Sequence, residues 1–204
     1  MRRTKEEAKA TRQDVLQSAL RVFSEKGYAA ATLQDIADRA GVTRGAIYWH
    51  FENKADLYNS LLAEFSAMSS QIVAGVVEAG GTLPEILRRI FVQLLQAVER
   101  DPELRAVLEL EQFNVGRIAE LEAGRHSQLE AGVHLLESIA GAMEQGIQDG
   151  YLRNDLEPLT MARSFLAFQN GIIRLWLVNP NSFSLAVEAE AMAGIYLEGI
   201  LNDR

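Results

Sequence analysis

The chain has 204 residues, 48% of them apolar, a net charge of −8 and no cysteine. That length fits one ordinary domain or a small domain joined to a larger one, and the apolar content excludes a disordered chain. The missing cysteine excludes disulfides, thiolate zinc sites and cysteine nucleophiles. No apolar run approaches the ~20 residues that span a bilayer, and Met1-Arg2-Arg3-Thr4-Lys5-Glu6 lacks the apolar stretch of a signal peptide. The expectation is a soluble, cytoplasmic protein with no membrane partner and no cofactor.

Charge is unevenly distributed. Residues 1–57 hold 10 basic and 8 acidic side chains, a balance of +2, whereas residues 58–204 hold 10 and 20, a balance of −10. Affinity for nucleic acid rests largely on Lys and Arg meeting phosphates. A DNA-binding surface must therefore lie in the first quarter of the chain, with the acidic remainder facing away from the duplex.

Apolar positions recur at three- and four-residue steps and almost nowhere alternate, so the fold class is all-α. Val15, Leu16, Ala19, Leu20 and Phe23 form the buried stripe of a first helix, and Gly27 stands where a helix end favours a left-handed residue. Thr32-Leu33-Gln34-Asp35 reads as an N-cap with an acid three positions on, Thr43 can cap the next helix, and Asn53-Lys54-Ala55-Asp56 precedes a long helix running to about Glu78. Gly80-Gly81 breaks it. Later helices are predicted at 84–100, 102–113, 117–149, 157–178 and 184–202, with turns at Asp149-Gly150 and Asn179-Pro180-Asn181. The domain division read from this pattern is a three-helix head, 1–57, and a larger helical body, 58–204.

The informative stretch is Leu33 to Phe51. A short helix turning Ile36, Ala37 and Ala40 inward is followed by Gly41 at a tight turn, and a second short helix starts at Thr43 or Arg44. This is helix-turn-helix spacing, with the small Ala37 permitting close packing and Val42, Ala46 and Ile47 holding the second helix against the first. The outward residues are then Thr43, Arg44, Gly45, Tyr48, Trp49 and His50. Arg44 can bond guanine O6 and N7, Thr43 can meet a phosphate or a thymine methyl, and Gly45 allows close approach. Tyr48, His50 and Lys54 are natural phosphate donors, and Thr32 and Gln34 complete the candidate DNA-binding set. Arg2, Arg3 and Lys5 could form an arm reaching the minor groove, or simply a solvated terminus.

The run Gly41-Val42-Thr43-Arg44-Gly45-Ala46-Ile47-Tyr48-Trp49-His50-Phe51 and the following Asn53-Lys54-Ala55-Asp56-Leu57 resemble the signature of the TetR/AcrR family, most of all its AcrR-like branch that controls multidrug efflux. Thr11-Arg12, Ala19 and Phe23 through Gly27 are similar to the family's first helix. The resemblance covers roughly residues 9–60 by motif, and the rest by length and helical layout alone. It implies a homodimeric repressor that binds a palindromic double-stranded operator and is released by a small lipophilic effector, with no enzymatic activity.

In the body, Met161, Phe165, Leu166, Phe168, Ile172, Ile173, Leu175, Trp176 and Leu177 cover an arc of roughly 200° at 100° per residue, too wide for a helix with one buried face. The last helix is similarly broad. Burial against a second subunit accounts for both, with Phe165, Phe168, Ile172, Met192 and Tyr196 as candidate dimer contacts and the two recognition helices ~34–36 Å apart.

The resemblance implies an effector pocket lined between about residues 64 and 176. Candidate walls are Phe65, Met68, Ile72, Leu94, Phe113, Met143, Phe168 and Trp176, and candidate polar groups are Glu111, Gln112, Asn114, Gln169 and Asn170. Buried amides need partners, which a ligand can supply, and Glu111 suits a cation.

His126, Glu130, His134 and Glu137 share one helix face, a spacing that can ligate zinc or iron. No second helix carries a matching stripe, and i,i+4 polar pairs facing water account for the pattern without a metal. Two other function classes are open to the sequence: a helical interaction module whose head has lost its operator, and a metal-dependent enzyme using that stripe. Charge segregation and the intact Thr43-Arg44-Gly45 argue against the first, and the missing second ligand helix against the other.

Overall fold

Thr, Ser and Pro at the points where the apolar periodicity begins set the register of most of the helices. The computed structural model describes residues 5–113 and 119–202, and among them nine α-helices occur: α1 Lys5–Ala30, α2 Leu33–Ala40, α3 Arg44–Tyr48, α4 Lys54–Glu78, α5 Leu83–Arg100, α6 Pro102–Phe113, α7 Glu122–Gln148, α8 Pro158–Val178 and α9 Leu185–Glu198. A 3₁₀ turn at Ala119–Leu121 precedes α7. No strand is present among the described residues, where a lone antiparallel bridge joins Leu152 to Leu201.

The expected caps are in place. Thr32 Oγ1 accepts from the Asp35 N–H at 3.1 Å, and Asp35 Oδ2 accepts from the Thr32 N–H at 3.0 Å, a reciprocal capping box. Lys26 donates to the other Asp35 oxygen at 2.7 Å, and the two partners together, Lys26 first, pull the Asp35 carboxyl down to about 2. Gly41 closes α2 in the left-handed region at φ 66°. Thr43 caps α3 by accepting from the Ala46 N–H at 3.2 Å, and Thr82 with Glu85 repeats the capping box at α5. Losing such a cap costs about 0.5–2 kcal/mol.

The chain packs as two units, one formed by Met1–Ala67 with Glu103–Arg125 and the other by Met68–Pro102 with His126–Arg204. The linear division at residue 57 assigns to the body a segment, Glu103–Arg125, that packs with the N-terminal helices. In the first unit Leu16, Phe23, Ile36, Ala37, Ile47, Leu57 and Leu61 of α1 to α4 share a core with Val107 and Leu110 of α6 and with Leu121. Burying a side chain as fully as Ile36 or Ile47, each 0% exposed, contributes about 1.5–3 kcal/mol. Phe23, Tyr28 and Tyr58 form an aromatic triad within it, with ring centroids 5.2–5.6 Å apart. A Cβ on Gly124 would collide with the Asn59 side chain, so glycine permits the start of α7 to press against α4.

In the second unit α5 packs chiefly on α9, with α8 against both. Phe91 of α5 meets Phe165 and Phe168 of α8, each at 5.9 Å, and Tyr196 of α9 lies 5.4 Å from Phe165. Tyr196 Oη donates to the Met161 carbonyl at 2.6 Å, and Glu99 accepts from the Ser184 hydroxyl and the Ala186 N–H at the start of α9.

One expected helix boundary needs correction. Helix α7 begins at Glu122 rather than 117, because a 3₁₀ turn intervenes at 119–121. Phe165 is 3% exposed within its own chain, where its ring packs against Phe91 and Tyr196. One helix, α4, is long and apolar enough by length and composition to cross a membrane, although polar residues such as Glu64, Ser66 and Gln71 interrupt its apolar run. The start of α4 owes its apolarity to core packing, since Leu57, Tyr58, Leu61 and Leu62 are buried.

Candidate nucleic-acid interface

The turn between α2 and α3 is built by the residues the sequence singles out. The Val42 N–H donates to the Ala37 carbonyl at 3.0 Å, the Gly41 N–H reaches back to Asp38, and Thr43 starts the next helix from an extended backbone. Ile36, Ala37 and Ile47 are fully buried, which locks α3 onto α2 and leaves the opposite side of α3 in solvent. Thr43, Arg44, Gly45, Tyr48 and Trp49 are exposed there, Trp49 to 88%, and His50 is half-buried against Phe51. An indole so exposed has no packing role in this chain. A Cβ on Gly45 would meet only Thr43 Oγ1 at 3.8 Å, so this surface is open.

The other basic side chains place Arg44 in context. Arg39 is clamped bidentately by Glu25, both bonds at 2.6 Å, and the Glu25 carboxyl is held below its ordinary range by it. Arg12 pairs with Glu64 at 3.2 Å and covers the Phe51 ring, and Lys26 pairs with Asp35. Arg44 bonds instead to a neutral group, Tyr48 Oη, at 2.9 Å. Its charge is uncompensated by that partner and stands on the exposed face of α3, where a guanidinium can read a guanine edge or bind a phosphate.

Three residues of the candidate set are engaged elsewhere. The Thr32 hydroxyl donates to Asp35 at 2.8 Å, and Gln34 Nε2 donates to Asp38 at 2.7 Å. Lys54 Nζ turns inward, donating to the Tyr28 carbonyl at 2.8 Å and the Ala31 carbonyl at 3.0 Å, 4.4 Å from the centroid of the Tyr28 ring. Tyr28 Oη donates to Glu120 at 3.2 Å, and burial followed by that carboxylate pushes the phenol up to about 12. Sequence reasoning missed Tyr28 and Glu120 altogether. Their separation of 92 residues leaves no local pattern to detect.

Of the effector candidates, Asn114 and the side chains of Phe65 and Phe113 lie outside the described residues, as do Arg2, Arg3 and the Lys5 side chain. Met143 and Trp176 are buried, the latter donating to the Phe183 carbonyl at 3.0 Å, and Gln169 is buried with its amide toward the Phe91 carbonyl at 3.4 Å. Ile72, Leu94 and Phe168 are half-buried, Met68 is at the edge of exposure, and Asn170 is exposed. Two neighbours on α6 stand out. Gln112 Oε1 is buried with no hydrogen-bond partner among the described residues. Glu111 reaches solvent, yet surrounding protein desolvates it enough to raise its carboxyl pKa.

The polar stripe on α7 resolves into two local contacts, His126 Nε2 to Glu130 at 3.4 Å and His134 Nδ1 to Glu137 at 3.5 Å, all four side chains well exposed. No group of three or more such ligands converges among the described residues.

An all-helical chain presenting a solvated, cationic second helix of a helix-turn-helix is a DNA-binding regulator in class. Comparison with known proteins narrows this. Residues 15–61 match the family described as "Bacterial regulatory proteins, tetR family", and residues 84–201 match "MAATS-type transcriptional repressor, C-terminal region". The chain is 32% identical to the transcriptional regulator AcrR of Shigella flexneri over 97% of its own length and 92% of the relative's. It is also 32% identical to TtgR of Pseudomonas putida, covering 93% and 91%. Among solved structures, NalD, described as the secondary repressor of the MexAB-OprM multidrug efflux pump in Pseudomonas aeruginosa, superposes with a TM-score of 0.83 at 25% identity, covering 96% of this chain and 99% of that one. A complex of SmeT with triclosan gives 0.82 at 26%, covering 95% and 93%. The chain belongs to the TetR family of bacterial transcriptional regulators, within its MAATS-type repressors, and is not an enzyme.

Proposed function

We propose that the protein is a cytoplasmic homodimer that holds a palindromic operator ahead of a drug-efflux gene and lets go when a small lipophilic molecule binds. The observation that carries the effector half is on α6, where Gln112 Oε1, buried without a donor among the described residues, follows the desolvated Glu111 in sequence. An unpaired buried acceptor costs roughly 1–3 kcal/mol, which a ligand bearing an O–H or N–H group recovers. Efflux regulation in NalD and the triclosan complex of SmeT support the same reading.

The DNA half assigns Arg44 to base edges, Thr43, Tyr48 and His50 to phosphates, Gly45 to close approach and Trp49 to the sugar and groove wall. Thr32 and Gln34 serve the start and the flank of α2. The homodimer half rests on exposed small and apolar residues that repeat at helical spacing, Ala167, Gly171, Leu175 and Val178 on α8 and Val187, Ala191 and Ile195 on α9, with the half-buried Phe168 beside them. Leu175, Val178, Val187 and Ile195 are 66–81% exposed, more than an isolated chain gains from leaving in water.

The test is selection of bound sequences from random duplexes by the purified protein, followed by fluorescence anisotropy on the selected duplex with and without triclosan, a lipophilic phenol. The expected result is a palindrome bound by one dimer with a steep negative salt dependence, and weaker binding when triclosan is present. Failure to enrich any sequence would reject operator binding. Indifference to triclosan and to a panel of lipophilic amines and phenols would reject the effector assignment.

A further inference from the structure

Lys54 opens α4, yet its ammonium points back into the protein. It bonds the carbonyls of Tyr28 and Ala31, which follow the break in α1 at Gly27, where φ is 74° and ψ 159°. Carbonyls at a helix end have no intrahelical donor, and a cation beside them is favourable. One turn further along α4, Tyr58 packs edge-on against the same Tyr28 ring at 5.2 Å. Lys54 and Tyr58 thus hold Tyr28 from one helix, Phe23 stacks on it at 5.6 Å, and Glu120 accepts from its hydroxyl.

The helix-turn-helix occupies the chain between the two ends of this clasp. The bond from Lys54 to Ala31 closes a loop, 23 residues apart in sequence, that contains α2 and α3 entirely. Pinning both ends of that segment restricts the orientations in which α3 can be presented, and restricting them before binding strengthens the specific complex.

We infer that Lys54 is a positioning residue, whose ammonium sets the presentation of α3 through Tyr28 and Ala31 rather than neutralising a DNA phosphate. The inference rests on the operator-binding reading above. A phosphate contact and a clasp differ in their salt signature. Each neutralised phosphate contributes about 0.9 to the slope of log K against log salt, whereas a clasp made within the protein contributes nothing to it. They also differ toward arginine. A guanidinium serves a phosphate as well as an ammonium does, but its planar fork does not fit a compact site between two carbonyls above a ring.

The experiment measures anisotropy of full-length wild type, Lys54→Met and Lys54→Arg on the selected operator and on a scrambled duplex, across a salt series. Expected for both variants is operator affinity lower by on the order of 10- to 100-fold, with the wild-type salt slope and unchanged binding to scrambled DNA. Loss of folded protein alone would lower both duplexes in proportion, and that pattern counts against the inference. A slope shallower by about 0.9 per protomer in Lys54→Met, restored to wild type by Lys54→Arg, overturns it. If Lys54→Met does not fold, Lys54→Arg decides: wild-type affinity overturns the inference, and loss of affinity at constant slope supports it. Wild-type protein that selects no operator at all would reject the functional reading instead, so the two failures are distinguishable.

Discussion

Arg44 and Tyr48 stand one turn apart on α3 and are joined twice. The guanidinium donates to the phenol oxygen at 2.9 Å, and its central carbon lies 5.6 Å from the ring centroid. A four-residue spacing puts the two side chains on one helix face. The ring thereby holds the guanidinium extended over the surface without cancelling its charge, which lowers the entropy lost when it meets a base edge.

Arg44→Ala is expected to weaken operator binding by about 1–3 kcal/mol per half-site and to flatten discrimination at the base pair it reads. Tyr48→Phe keeps the ring and removes the acceptor, so it should cost less, about 0.5–1.5 kcal/mol. Anisotropy on the operator and on single-base variants measures both. Undiminished discrimination in Arg44→Ala would remove that residue from the reading set.

Gly27 and Gly132 make a matched pair for stability. A Cβ meets nothing within 4 Å at either position, so only the backbone distinguishes them. Gly27 has φ 74° and ψ 159°, a conformation nearly reserved for glycine, whereas Gly132 lies inside α7. Gly27→Ala should destabilise by about 1–3 kcal/mol. Gly132→Ala should stabilise by up to about 1 kcal/mol. Urea unfolding gives both signs, and a stabilising Gly27→Ala would contradict the conformation described.

Glu111 carries a raised pKa, so its ionised form is the disfavoured one in the folded chain. The folded state therefore binds the proton more tightly, and stability falls as pH rises through the raised value. Glu111→Gln should melt higher than wild type near pH 7 and no higher near pH 4, where the wild-type carboxyl is largely protonated. Equal melting temperatures at both pH values would mean that the carboxyl is ordinarily solvated.

Leu175→Glu and Ile195→Glu place charges where side chains are 66% and 67% exposed in the single chain. Sedimentation should report the mass of one chain, with helical circular dichroism unchanged and operator affinity reduced. Phe165→Glu, by contrast, buries its charge in the core and should reduce the folded fraction itself. A dimer that survives both surface substitutions would move the interface elsewhere.

Local chemistry made much of the helix-turn-helix readable. Thr32 with Asp35, Gly41 and Thr43 each act within a few residues of themselves, so their types and spacing carried the caps and the turn. Long-range contacts were not readable. Lys54 meets carbonyls 23 and 26 residues away, and nothing in Asn53-Lys54-Ala55-Asp56 distinguishes an ammonium turned inward from one offered to solvent. The width of the apolar arc on α8 signalled more burial than one face supplies, but periodicity could not say which part packs inside. Phe165 went to the core, while Leu175 and Val178 stayed outside. The return of Glu103–Arg125 to the N-terminal helices left no mark in composition, because its buried Val107 and Leu110 look like any other amphipathic stripe.

The sequence contains two tryptophans, and the fold puts one in each unit: Trp49, 88% exposed on the helix-turn-helix, and Trp176, 1% exposed with its N–H bonded to Phe183. A water-bathed indole emits at longer wavelength than a buried one. The unlabelled protein is therefore a two-colour fluorophore, whose red emission is quenched or shifted as DNA covers Trp49 and whose blue emission follows packing around Trp176. Titrating DNA and small molecules in turn, and watching which edge of one spectrum moves, would time the two events against each other without any dye.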